Sequence, residues 1–203
     1  MMTQQPIFAD EPALAVVAAY WQALRQGRLM PDRADIDPLD LPPSLWPNLL
    51  ITEPAESDGD NDGVNWRYRL VGSAHVERYT YDFTGRTTGE IMHGSYLDYM
   101  NRIYATAFHQ RVPVYSESVF RWDVEGYAAT RRLMLPISHG KPGVSARIFS
   151  VQVWPSEKPL QPRSISEISR RGEFRDGFFL ALDRDTFQPL PQQDRAPLPR
   201  LGI

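Results

Sequence analysis

Apolar and polar residues alternate through long stretches in the second half of this chain. Val112–Trp122 (VPVYSESVFRW), Gly126–Ser138 (GYAATRRLMLPIS) and Gly143–Trp154 (GVSARIFSVQVW) all keep a period of two, as strands of a sheet do. The segments between them, DVEG and HGKPG, supply the Asp, Gly and Pro that turns use. Earlier, Leu49–Thr52 (LLIT) is a short apolar run. VNWRYRLVG then sets Val64, Trp66, Tyr68 and Leu70 against Asn65, Arg67 and Arg69. These two segments read as a β-hairpin.

Two stretches repeat at helical spacing instead. Leu14, Val17, Trp21 and Leu24 form one stripe, widened by Val16 and Tyr20, with Asp10 as a cap and Gly27 as a stop. A helix so apolar must cover its own sheet or a second subunit. In Ser95–Gln110, Tyr96, Tyr99, Met100, Ile103, Tyr104, Ala107 and Phe108 share one side, and Asp98, Arg102 and His109 the other. Ser95 and Asp98 fit a capping box. Residues 1–9 show no period and are expected to be loose. Arg28–Leu50 is too broken by Pro and Asp for one element, yet its Ile36, Leu41 and Trp46 need cover. Beyond Pro155, SISEISRRG allows a short helix, with Ser164 and Glu167 as its capping box. GFFLALD (Gly177–Asp183) allows a strand, and disorder is expected from Pro189 onward. The order of elements does not alternate strand with helix, so an antiparallel sheet with helices to one side is expected.

SDGDNDG (Ser57–Gly63) opens like a calcium loop, with Asp at alternate positions before a Gly. Counting from Asp58, the position that needs a bidentate Glu is Arg69, and the flanks are strands where an EF-hand has helices. A solvated hairpin loop is the reading.

Composition removes several classes of function. The chain has 203 residues and no Cys, which excludes disulfides, Cys-ligated metal centres and thiol nucleophiles. A net charge of −3 gives no reason to expect nucleic acid as a partner. Ala13–Trp21, the longest apolar run, is far short of the roughly 18 residues of a membrane span. Asp10 and Glu11 precede it where a signal peptide has Lys or Arg. A cytoplasmic protein is expected. Nucleotide-binding, hydrolase and zinc-protease motifs do not occur.

GRLMPDRADIDPLDLPPSLWPNLLI, followed by WRYRLVGSAHVERYTYDFTGRTTGEI, resembles the alphaproteobacterial PAS-domain family. Members of that family begin with an R-x-P-x-R-x-D-I-D-P-x-D-L-P segment. The resemblance spans about residues 12–154. It implies an α+β fold: a PAS-like five-stranded antiparallel sheet with helices on one face, plus an N-terminal amphipathic helix and a C-terminal extension. The expected divisions are 1–47 for the N-terminal helix and connector, 48–154 for the PAS core and 155–203 for the extension.

PAS folds hold guests between sheet and helices. The absence of Cys excludes flavin–cysteinyl photochemistry and a Cys-linked chromophore. Haem needs an axial ligand, usually His. His109 should face solvent, His93 lies just before the long helix, and His75 and His139 read as helix-start and turn residues. Haem is therefore not expected, and no metal ligand set is seen. Arg131 shares parity with Leu133 and Leu135, so it is expected in a structural salt bridge, turned outward by a bulge, or as a pocket cation awaiting a carboxylate or phosphate. Tyr104, Ser118, Met100 and His93 would line the same pocket.

The function expected is a cytoplasmic PAS-type sensory or protein-interaction domain, binding a small ligand or partner and acting through another protein, without catalysis of its own. Leu14, Val17, Trp21 and Leu24 are expected at a homodimer contact. A small enzyme on a cone-shaped α+β barrel and a ligand-free scaffold are the alternatives.

Overall fold

Alternation becomes a six-stranded sheet in the computed structural model, which describes residues 5–55, 65–121, 127–155 and 173–191. The strands are β1 (Leu49–Pro54), β2 (Trp66–Val71), β3 (Val114–Arg121), β4 (Tyr127–Ile137), β5 (Arg147–Val153) and β6 (Glu173–Ala181). Their spatial order is β2-β1-β5-β4-β3-β6, and every neighbouring pair is antiparallel. The expected hairpin is β1–β2, closed at its open end by Ala55 N–H donating to the Asn65 carbonyl at 2.8 Å. The SDGDNDG loop and the Ser164–Gly172 segment lie outside the described residues.

The expectation of five strands is corrected by β6. It comes from the C-terminal extension and pairs with β3 from Val114↔Ala181 to Arg121↔Glu173. The strand was foreseen as a local pattern, but pairing is non-local, and only folding decides which edge receives it. At its start the tail expectation is also revised, because Leu190 N–H donates to the Ala181 carbonyl at 3.1 Å and Pro189 bridges to Leu182; residues 192–203 lie outside the described residues. Residues 1–9 are not uniformly loose either: Phe8 is fully buried between the Tyr115 and Phe187 rings.

The two faces of the sheet carry different side chains and different covers. One face, called outer here, presents Leu49, Ile51, Tyr115, Leu133, Leu135, Ile137, Phe149, Val151 and Leu180. Helix α1 (Pro12–Arg25) lies on it, burying Leu14, Val17, Ala18 and Trp21. Trp21 has no exposed surface, its Nε1 donates to the Pro136 carbonyl at 2.9 Å, and its ring meets Phe187 edge-on. Pro12 sits in the first turn, where its missing N–H costs nothing. The helix ends as Gln26 and Gly27 turn left-handed. Of the two covers open to α1, the chain uses its own sheet. Leu14, Val17 and Trp21 are 0% exposed and Leu24 packs against the same cluster. The homodimer contact expected at these residues is therefore corrected: their apolar surface is already spent.

The Pro/Asp-rich leader holds α1 to the sheet. Asp32 caps a short turn by accepting from Ala34 N–H, while Asp35 accepts from Asp32 N–H. Asp32 also takes hydrogen bonds from Ser138 and Gly140 in the turn after β4. Arg28 ties Asp35 to the end of α1 through the Leu24 carbonyl. Trp46 donates to the Pro38 and Leu41 carbonyls. Ile36 and Leu41 are buried beneath this frame. The leader thus has a structural job on the outer face.

Helices α2 (Ser73–Tyr79), α3 (Thr88–Ile91) and α4 (Gly94–Gln110) cover the other, inner face. The stripe read for α4 is the buried one: Tyr96, Tyr99, Met100, Ile103, Tyr104 and Ala107. The cap differs from expectation. The N-cap is His93, and the helix begins at Gly94 without a side-chain cap. Gly72, between β2 and α2, cannot be replaced, because a Cβ there would lie 2.3 Å from the Pro47 carbonyl oxygen.

Candidate functional site

A sheet face under helices normally carries apolar side chains. The inner face here carries Thr52 of β1, Ser116 and Ser118 of β3, Thr130 and Arg132 of β4, and Ser150 and Gln152 of β5, all buried. The register explains why they gather. Arg132 lies opposite Ser116 on one side and Gln152 on the other, and Ser118 lies opposite Thr130.

Arg132 is at the centre and 2% exposed. Its Nε donates to Gln152 Oε1 at 2.8 Å, one Nη to Ser118 Oγ at 2.7 Å, and the other to the Tyr96 hydroxyl at 3.0 Å. All three acceptors are uncharged. Burial opposes the guanidinium charge, the oxygens of Tyr96, Tyr99, Tyr79 and Tyr104 favour it, and the balance lies above the ordinary Arg value. Arg132 is therefore a full cation in the interior.

Several polar atoms around it have no hydrogen-bond partner although they are sealed from solvent. On the sheet these are Ser116 Oγ and Ser150 Oγ. The Tyr104 hydroxyl meets the side chains of Tyr68 and Thr52, and burial dominates and raises its pKa. Burial likewise raises Tyr68 and Tyr96, so these phenols are neutral. At the α2 end, Arg78 lies over the Trp154 ring at 4.8 Å, and both Arg78 Nη2 and Trp154 Nε1 lack partners. Next to them His75 is 1% exposed, with Nε2 3.3 Å from the Asn48 carbonyl and its ring edge-on to Trp154. Burial depresses its pKa to about 4, with Arg132 and Arg78 adding to the effect.

The residues singled out from sequence divide between the two faces. Tyr104, Ser118 and Met100 stand on the inner face, as expected. Arg131 does not. It projects on the outer face, where it pairs with Glu11 at 2.5 Å, Asp10 at 3.1 Å and Glu117 at 3.4 Å. The pocket role read for Arg131 is corrected in favour of its salt-bridge reading. Parity with Leu133 and Leu135 was right, but that apolar face belongs to α1. Being 26% exposed, this pairing is worth little, and Arg131→Met should cost about 1 kcal/mol in urea unfolding. A loss above about 3 kcal/mol would mean that the cluster anchors α1. His93 caps α4 and is half-buried, His139 is exposed in its turn, and His109 is exposed on the far side of α4, as the spacing predicts. Arg132 and Arg78 were not read from sequence, and His75 was read only as a helix-start residue.

Helix α4 is also stapled to the sheet edge. The Tyr99 hydroxyl donates to the Glu117 carbonyl at 2.9 Å and the Phe178 carbonyl at 3.0 Å, bridging β3 and β6. Gly177 makes room, since a Cβ there would meet the Phe174 ring at 2.9 Å and Tyr99 at 3.2 Å. Removing the hydroxyl in Tyr99→Phe should cost about 1–2 kcal/mol of stability. An unchanged denaturation midpoint would show that the bridge is idle.

Among the described residues, no group of three or more His, Asp or Glu side chains could hold a metal ion. No described helix is long and apolar enough to cross a membrane. Comparison with curated proteins gives no match. The profile of the family described as PAS domain matches residues 9–151, well over half of the chain and including α1 and the leader. With an antiparallel sheet whose first five strands run β2-β1-β5-β4-β3 and whose helical cover closes over a polar inner face, this chain belongs to the PAS domain family.

Proposed function

We propose that the protein is a cytoplasmic sensory PAS domain that binds a small molecule between its inner sheet face and α2–α4, and passes the event to another protein without chemistry of its own. The observation that carries this reading is the buried cation Arg132 with the partnerless, buried hydroxyls of Ser116 and Ser150 beside it, on the face that α2–α4 enclose. Buried polar groups in folded proteins are nearly always bonded, and departures gather where something else supplies the bond. The leader and the YRLVG…TGR text further support the alphaproteobacterial branch of the family.

A physical link joins that face to the surface. Tyr99 on α4 bonds the backbone of Glu117, whose side chain meets Arg131, which in turn holds Glu11 at the start of α1. A shift of α4 would therefore be felt at α1. A signalling partner would read the outward side of that helix, where Val16 is exposed, since its inward stripe is occupied.

Denaturing the purified protein and analysing the released small molecules by mass spectrometry, with an absorbance scan beforehand, tests the reading. A stoichiometric metabolite is expected. A Soret band would put haem in its place. Release of nothing, with no metabolite from a broad panel raising the melting temperature, would sink it.

A further inference from the structure

A guanidinium carries five N–H groups. Arg132 uses three hydrogen bonds, to Gln152, Ser118 and Tyr96, and none of them returns a negative charge. The buried polar and charged residues of the described chain include no Asp or Glu. No ion pair joins Arg132 to any described carboxylate. A buried cation is normally retained only with a counter-charge.

The surrounding unfilled bonding capacity has one bias. Ser116 and Ser150 offer hydroxyls, and Arg78 Nη2 and Trp154 Nε1 can only donate. Arg132 and Arg78 both act on the buried His75. On the same face the rings of Trp66 and Tyr68 meet Tyr104 and make an aromatic wall.

We infer that the ligand is a small organic acid whose carboxylate seats on Arg132 and whose apolar body lies along the aromatic wall. This rests on the small-molecule reading above. A carboxylate brings one charge to match the one it neutralises, and its two oxygens suit the N–H groups the fork has left over. The aromatic wall favours a ligand with a carbon body over a bare inorganic anion.

Calorimetric titration and thermal shift on the full chain, with benzoate and phenylacetate against benzamide and phenylacetamide, test the inference. Inorganic phosphate serves as the competing anion. The acids should bind at least about tenfold more tightly than the amides. Arg132→Gln should remove that preference, and Arg132→Lys should restore part of it. If the Gln variant does not fold, the acid–amide comparison on the unaltered protein decides alone. Equal binding of acids and amides, binding of phosphate without either acid, or release of a neutral metabolite on denaturation would overturn the carboxylate assignment and leave the sensory reading standing. No acid bound at millimolar concentration, with nothing released from the protein, would overturn both.

Discussion

Trp21→Ala should lower the unfolding free energy by about 4 kcal/mol, the range for truncating a fully buried aromatic. Trp21 is 0% exposed and meets Phe187. It also fills the contact between α1 and the Leu133–Ile137 stretch of β4 through its bond to the Pro136 carbonyl. The indole leaves a cavity that the surrounding Leu, Val and Phe side chains fill only in part, and the Pro136 carbonyl loses its donor. Chemical denaturation of the two proteins measures the difference, and a loss under about 1 kcal/mol would show that α1 is not an integral cover of the sheet. The same geometry predicts that deleting residues 1–27 yields aggregated or unfolded material. The deletion bares Leu133, Leu135 and Ile137 together, and a face of that size is not tolerated in water. A soluble, folded truncated chain would contradict this.

The second large effect is a dependence on pH set by His75. Its folded pKa is about 4, against an ordinary value of 6.5. Burial is the main cause, and the nearby Arg132 and Arg78 cations reinforce it. The folded state thus refuses a proton that the unfolded state accepts. Stability from this group is complete above about pH 6.5 and drains as the pH falls toward 4, by up to about 3 kcal/mol. The lowered carboxylates Asp32, Asp82, Glu90 and Asp183 act in a lower window: they stabilise above their ordinary values and lose that contribution on further acidification. Urea unfolding of wild type and His75→Phe between pH 7 and 4 separates the two contributions, since only the first is absent from the variant. The wild-type curve should fall more steeply, and parallel curves would show that His75 takes up its proton without opening the fold.

Position on a strand explains which site residues were legible. Ser118 and Tyr104 were named for their hydroxyls and Met100 for its place on the buried side of α4, and all three stand on the inner face. Arg131 and Arg132 are adjacent, so period two sends them to opposite faces. Choosing between them needs the identity of the face, which parity alone does not carry. In the sequence, the apolar set Leu133, Leu135 and Ile137 marks the side a pocket cation would share, while Thr130, Arg132 and Gln152 are given no role beside Ser118. The structure separates the two sets by face. The apolar set meets α1 in a closed core, while the polar set is roofed by α4. His75 and Arg78 sit on a two-turn helix whose short span gives no readable stripe.

From its residues alone this chain determined its strands, the hidden side of its long helix, its lack of thiol chemistry and its place in the PAS domain family. Those features are local, or recur at spacings of a few residues, so one strand of text contains them. The pairing of β6 with β3, the docking of α1 on its own sheet and the gathering of Arg132 with Gln152, Ser118 and Tyr96 were decided only by tertiary structure. Each depends on which surfaces meet across many residues of sequence. Burial then assigns a charge or hydroxyl its meaning: the same guanidinium is solvated on an open strand, and an enclosed cation beneath a helix.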